Sequence, residues 1–406
     1  MSRTHVLVAS LLCSTLAAQT GWSAPTLETA LNSTASDTGP HLSTDGLTLH
    51  FASFRAGNWE IFSATRAAIG AAWSTPIQET ALGLPTSVDD QPFVADDGQT
   101  IWFSSNRAGS VGGFDLMAAT HNGTGWNTPT FVTELNSTGS ESSPTITGDG
   151  LEIYFLTTGW GAPSAPNNAI FRATRTSTAL PFGTPTLVTE LSNANTHRDV
   201  EISADGLTLT YTEFQSPRLQ VLMAERTARN LPFQPPVTLT EFSTVGTLQG
   251  VFGFTRSRIG NDAILAAGFS TTAGSQELMN TRFTGLTHFG IASGNTVMGL
   301  QWRDPSAPGL VYALGAAFGN TGFPIDTRTV PLDPDFLLQA TLAQNHAPFS
   351  IGWIGVLDAG GEGGGALGNP IPALAGLQIW IGGFTFDATA PSGVRTIGNS
   401  FAVQLH

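Results

Sequence analysis

The sequence predicts an all-β protein assembled from a repeated four-stranded unit, and three recurring segments carry that prediction. A turn and strand recurs as Asp45-Gly-Leu-Thr-Leu-His-Phe51, Asp97-Gly-Gln-Thr-Ile-Trp-Phe103, Asp149-Gly-Leu-Glu-Ile-Tyr-Phe155 and Asp205-Gly-Leu-Thr-Leu-Thr-Tyr211, with aspartates 52, 52 and 56 residues apart. A second strand keeps step with it, beginning at Glu60, Asp115, Ala169 and Gln220 and reading Ile-Phe, Leu-Met, Ile-Phe and Val-Leu next. An aromatic followed by proline comes after each: Trp73 with Pro76, Trp126 with Pro129, Phe182 with Pro185, Phe233 with Pro235 and Pro236.

Each segment has a local cause. Asp-Gly is a tight hairpin dipeptide because glycine tolerates positive φ, and the alternating β-branched and aromatic residues after it suit a half-buried strand. The proline segment belongs at a sheet edge, since proline brings no backbone N–H to a ladder. With a short strand before each Asp-Gly turn, every unit supplies four strands. Four strands at a period near 50 residues are the pattern of propeller blades.

A fifth, eroded unit follows by the same spacing: Asn261 and Asp262 replace the turn, 263–265 continue as a strand, and Leu278-Met279 match Leu222-Met223. Its proline strand is missing there but present at the other end of the chain. Residues 22–32 match residues 126–136 at a distance of 104, twice 52. The expected fold is a five-bladed β-propeller over residues 19–290, closed by this N-terminal strand so that no sheet edge stays open. Six blades remain open if part of residues 291–320 forms another.

The motif resembles that of TolB-type, WD40-like propeller repeats. A small residue, Asp-Gly, an alternating strand and then Ser-x-Arg-x-Gly are best preserved in Phe51-Ala-Ser-Phe-Arg-Ala-Gly57 and Phe103-Ser-Ser-Asn-Arg-Ala-Gly109. The resemblance covers about residues 22–290. It implies the propeller fold and, by analogy with TolB, an envelope location with protein partners. No counterpart is expected here of the α/β domain that precedes the propeller in that family, and fold alone does not fix function.

Length and composition bound the rest. A chain of 406 residues exceeds the roughly 250–300 at which single cores stop growing. Arg3, the apolar run from Val6 to Leu16, and small Ala17 and Ala18 read as a cleavable export signal over residues 1–18. That run is too short to span a bilayer, and no later segment is long and apolar enough, so no membrane insertion is expected. Secretion or a periplasmic location follows. The only cysteine, Cys13, lies inside that signal, so the processed chain is expected to have no thiol. All sixteen Lys/Arg-type residues are arginines, which removes the phosphate-loop lysine and Schiff-base chemistry. The net charge of −14 argues against nucleic acid, whose phosphates need a basic surface.

Candidate chemistry lies in the short strand before each Asp-Gly turn, which in a propeller lines the central channel. Asp37, Asp89, Glu141 and His197 stand in equivalent places and are expected to ring one channel mouth. Such a ring could bind a cation such as calcium or receive a basic peptide. Acids at strand starts also accept local backbone N–H bonds, a purely structural use. Arg55 and Arg107 are expected to pair with neighbouring acids or carbonyls, and the recurrent aromatics to pack between blades. No Gly-x-Ser-x-Gly elbow and no His-Glu-x-x-His occurs. Glycoside hydrolysis by channel carboxylates needs no local spacing and stays open.

From residue 291 to 406 the period stops and glycine rises. Short alternating segments suggest a small β-sandwich-like accessory domain, with one short helix over residues 335–343. The run Gly360-Gly-Glu-Gly-Gly-Gly365 is expected to be a flexible hairpin or linker. The expected function is an exported, non-catalytic binding scaffold for an envelope or extracellular protein or glycan, without a required cofactor. The alternative is a carbohydrate-active hydrolase. Oligomeric state is not legible.

Overall fold

The computed structural model describes residues 21–161, 168–226, 228–245, 250–257, 262–268, 276–289, 297–334, 336–342, 350–351, 353–368, 377–390 and 392–404. The export signal expected over residues 1–18 and the turn position Asn261 lie outside them. The chain is all-β, with several four-stranded antiparallel sheets consistent with propeller blades.

The first sheet is Asp37–Leu42, Thr48–Ser53, Glu60–Thr65 and Ile77–Gln78. The second is Asp89–Val94, Thr100–Ser105, Asp115–Thr120 and Thr130–Phe131, and the third is Glu141–Ile146, Glu152–Thr157, Ala169–Thr174 and Thr186–Leu187. The fourth is His197–Ile202, Thr208–Gln215, Arg218–Glu225 and Val237–Thr238. Between the first two strands of each, Asp45, Asp97, Asp149 and Asp205 accept the backbone N–H two residues on, at 2.9, 2.9, 3.0 and 2.9 Å. The glycine after each aspartate has φ between 67° and 73°, a region glycine enters without a Cβ penalty.

A fifth sheet is composite. Val251–Arg256, Asp262–Gly268 and Gln276–Phe289 supply three strands, and Gly21–Trp22 with Thr26–Leu27 pairs onto the last of them. Thr26 and Leu27 face Asn280 and Met279, as Thr130 and Phe131 face Ala118 and Met117 in the second sheet. The Asn32 amide binds both backbone groups of Leu278 at 2.7 and 2.9 Å. Asn136 does the same to Leu116 at 2.7 and 3.1 Å. Two asparagines 104 residues apart thus perform one task.

The first strands of the five sheets neighbour one another in a closed cycle. Five buried apolar clusters occupy the spaces between consecutive sheets, the last joining fifth to first. The recurrent aromatics complete them. Ring centroids lie 6.1 Å apart for Trp126 and His50, 6.1 Å for Phe182 and Trp102, and 6.2 Å for Phe233 and Tyr154, each pair bridging adjacent sheets. Burial of each aromatic contributes about 1.5–3 kcal/mol, so the interfaces between sheets hold the arrangement together.

Strand Gln276–Phe289 belongs to two sheets. Its first half lies in the fifth sheet, while Gly285 to Phe289 pair with Val297–Arg303, which pairs in turn with Glu362–Gly368. A second C-terminal sheet runs Ile354–Val356, Val311–Ala317, Gln378–Phe386, Val394–Gln404. The segments within 291–320 weighed as a sixth blade therefore fall in two different sheets. Both share a core around fully buried Trp302, whose indole N–H donates to Thr385 Oγ1 at 2.9 Å. The helix expected over residues 335–343 is Phe336–Leu342.

The glycine-rich run differs from expectation. It is not a linker: Glu362–Gly368 is a paired strand. A Cβ on Gly363 would stand 2.3 Å from the Tyr312 ring, and one on Gly364 2.5 Å from the Leu300 carbonyl oxygen. Close packing, not flexibility, requires glycine there.

Candidate functional site

Asp37, Asp89, Glu141 and His197 each open the first strand of their sheet and are buried. Asp37 accepts from the Ser33 backbone N–H at 2.8 Å and pairs with Arg55 at 2.6 Å. Asp89 accepts from Ser87 Oγ at 2.8 Å and pairs with Arg107 at 2.6 Å. Glu141 accepts from the Ser137 backbone N–H at 2.9 Å and from the hydroxyls of Ser137 and Thr157 at 2.6 and 2.7 Å. His197 Nδ1 lies 2.9 Å from the Asn168 carbonyl and Nε2 lies 3.2 Å from Glu213 Oε2. Burial would push Glu213 up, but His197, Asn193, Asn195 and Gln215 outweigh it and hold the carboxyl down at about 2.

The four residues hold equivalent places, and their side-chain partners come from their own sheets or the segments leading into them, except that His197 also reaches the Asn168 carbonyl beside the third sheet. The arginines of the Ser-x-Arg-x-Gly motif also donate to carbonyls, Arg55 to Leu31 and Arg107 to Leu82, both at 2.6 Å. Each motif therefore ties the second strand to the segment leading into the sheet.

The cavity where the first strands meet is lined by residues further along them, from Gly39, Gln91, Ser143 and Asp199 onward. Every first strand carries a register irregularity just after its opening pair. In four of them one residue turns left-handed: Gly39 with φ 54°, Gln91 with 55°, Ser143 with 50° and Asp199 with 43°. Such a bulge re-aims side chains, and holding a non-glycine residue there costs about 1 kcal/mol or more. A hydrogen-bond network fixes it. Gln91 Oε1 accepts from the Ser143 backbone N–H at 3.0 Å and from Ser104 Oγ at 3.1 Å, while its Nε2 donates to Asp199 Oδ1 at 3.1 Å.

Past the opening positions, Asp90 and Asp199 sit at the bulges beside Gln91 and Arg198, and Glu201 joins Asp199 in the cavity wall. Burial raises Asp90 to about 6, against the Gln91 N–H and Arg198, with Asp89 adding to the rise. Burial first and Asp90 second raise Asp199 to about 7, against Arg198 and Gln91. The asymmetry is physical, since the second carboxyl of a pair ionises beside a neighbour already charged. The cavity at this level is about 30 Å³ and includes Gln91, Phe93, Asp199 and Phe254 in its wall, room for about one or two waters. Among the described residues, no group of three or more His, Asp or Glu side chains gathers as metal ligands would.

Sequence reasoning did not single out Asp90 and Asp199. The signal that could have found the pair was the Asp89-Asp90 doublet beside His197-Arg198-Asp199. When one residue of a strand points into its sheet, its neighbour points the other way.

No family model and no curated relative matches the chain. TolB from Acinetobacter baumannii is 14% identical over 63% of this chain, with a TM-score of 0.39, and the chain spans about half of that protein's length, 55%. Regucalcin from Agrobacterium tumefaciens, a calcium-binding protein, is 10% identical, with 65% of this chain and 94% of that one covered and a TM-score of 0.39. A GH62 hydrolase in complex with xylotriose is 9% identical, with coverages of 61% and 91% and a TM-score of 0.40. Structural neighbours of the chain are TolB-like β-propellers and other propeller proteins, all distant in sequence.

Proposed function

We propose that the chain is an exported, non-catalytic binding scaffold, secreted or periplasmic after removal of residues 1–18. In this reading the five sheets are the blades of a closed propeller, and the two C-terminal sheets form a β-sandwich accessory module. Loops and a channel mouth engage an envelope or extracellular protein or glycan.

The observation that carries this reading is how the carboxylates are used. Asp37 and Asp89 are buried against arginines, and Glu141 is filled by local donors. These bonds support the fold and leave little for a substrate. The second reading, a carbohydrate-active hydrolase, is favoured by the Asp90 and Asp199 pair, since glycosidases work with two carboxyls. Yet the cavity there is about 30 Å³, far below the roughly 300–1,000 Å³ of small-molecule sites.

The test is a panel of polysaccharides and envelope extracts, assayed for capture by the purified protein and for released reducing ends. Saturable capture without reducing ends supports the scaffold. Reducing ends released at a catalytic rate, and lost in D90N or D199N, would establish the hydrolase instead.

A further inference from the structure

Three of the junctions between sheets are locked in the same way. Arg66, Arg175 and Arg226 occupy equivalent positions, with their guanidinium carbons 4.3, 4.3 and 4.6 Å from the ring centroids of Trp73, Phe182 and Phe233. Their Nε groups donate to the turn carbonyls of Gly46, Gly150 and Gly206 at 2.8, 2.7 and 2.7 Å. Each arginine thus cross-links a turn to an aromatic and fills the space between.

The junction of the first and second sheets breaks this rule twice. The arginine position holds His121, edge-on to Trp126 with centroids 5.1 Å apart. The position of Trp102 and Tyr154 holds His50, which also approaches Trp126. The space is correspondingly open. Nothing lies within 4 Å of where a Cβ would stand on Gly98, whereas Gly46, Gly150 and Gly206 each have an arginine nitrogen within 3.5 Å of that point. The cavity here is about 660 Å³, against about 210 Å³ at the arginine-filled junction of the third and fourth sheets.

Its wall is a donor-seeking one. Asp45, Glu79, Asp96 and Asp97 contribute carboxylates, and no arginine lines it. Asp97 and Glu79 each accept a local donor, from the Gln99 N–H at 2.9 Å and Ser63 Oγ at 2.5 Å, and a carboxylate has further lone pairs to offer. His50 is 7% exposed, and its buried Nδ1 has no hydrogen-bond partner. Burial holds that imidazole neutral, down at about 4, so it adds no positive charge to the wall. His121 Nδ1 accepts from the Gly123 N–H at 3.1 Å, leaving Nε2 as a donor. Such a wall repels anions and matches a compact ligand rich in hydroxyl groups. The volume lies within the range of small-ligand sites.

We propose that the cavity between the first and second sheets, built around His50, His121 and Trp126, binds one neutral, hexose-sized sugar unit. This deepens the glycan arm of the proposed function and rests on that reading.

Isothermal titration of the purified protein with glucose, galactose, mannose and N-acetylglucosamine tests it, with glucuronate as the anionic control. One or more neutral sugars should bind saturably and glucuronate should not. His121→Arg restores the repeat's own residue and should fill the cavity. It is expected to keep or raise the melting temperature while weakening sugar binding at least about tenfold. His50→Phe, checked for the same melting behaviour, should weaken it similarly. No saturable binding up to concentrations on the order of 10 mM, affinity unchanged in a folded H121R, or preference for glucuronate would each overturn the proposal. Polysaccharide capture that survives H121R would remove this cavity while leaving the scaffold reading intact.

Discussion

Asp199→Asn removes one charge from the axial pair while keeping an oxygen to accept from Gln91 Nε2, the contact now made at 3.1 Å. In the folded chain, burial and the Asp90 charge lift this carboxyl from 3.8 to about 7. Each tenfold change in proton affinity corresponds to about 1.4 kcal/mol, so the ionised form carries a penalty on the order of 4 kcal/mol above pH 7. Asp199 is only partly buried, so solvent screens part of it, and a gain of about 1–3 kcal/mol is expected for the variant near pH 8. A carboxyl whose folded pKa is raised binds its proton more tightly when folded. Its penalty is therefore absent below the unfolded value of 3.8 and grows as pH rises towards about 7. The advantage of D199N should be full above that window, shrink steadily through it on acidification, and vanish beneath it. Denaturant titrations at about pH 8, 6 and 4 measure this directly. A variant less stable than the parent near pH 8, or a gain independent of pH, would refute the reasoning.

Arg107→Ala strands the buried Asp89 carboxylate and should cost about 3–5 kcal/mol, read from the denaturation midpoint. Asn32→Ala and Asn136→Ala remove the same pair of bonds and should each cost about 1–3 kcal/mol. Only the first should speed hydrogen exchange at Leu278, which Asn32 holds. Replacing Asp37, Asp89 and Glu141 together by Ala should abolish soluble folded protein. A well-folded triple variant that has lost ligand capture would instead restore the ring as a functional site.

The repeat was legible because each unit copies its local chemistry. Asp-Gly turns, strand alternation and the aromatic-proline segment are decided within a few residues, so the sequence displays them directly. The N-terminal strand could be matched with the second unit because Asn32 and Asn136 serve identical backbone groups. The bulge that follows Asp37, Asp89, Glu141 and His197 was not legible. Periodicity carries no sign of a bulge. The glycine-rich run misled for a related reason: composition cannot distinguish glycine required by a neighbouring ring from glycine in a linker. At the first junction, His50 and His121 look unremarkable alone. Their meaning comes from the arginines and aromatics at the same positions elsewhere.

Ring closure underlies every reading of the channel and of the junctions between sheets, and one cross-link tests it most directly. Thr26 and Asn280 face each other across the last pair of strands, and directly opposed residues lie about 4.5–5.5 Å apart at Cα, within disulfide range. Cys13 is the only native cysteine, so the test is run in a Cys13→Ser background with Thr26→Cys and Asn280→Cys. Ala118→Cys, at the matching place in the second sheet, replaces Asn280→Cys in the control. Mild oxidation should give an intramolecular 26–280 disulfide, seen by peptide mass spectrometry, and none between 26 and 118. Failure of the 26–280 bond to form, or its formation only between chains, would contradict a ring closed by its own N-terminal strand.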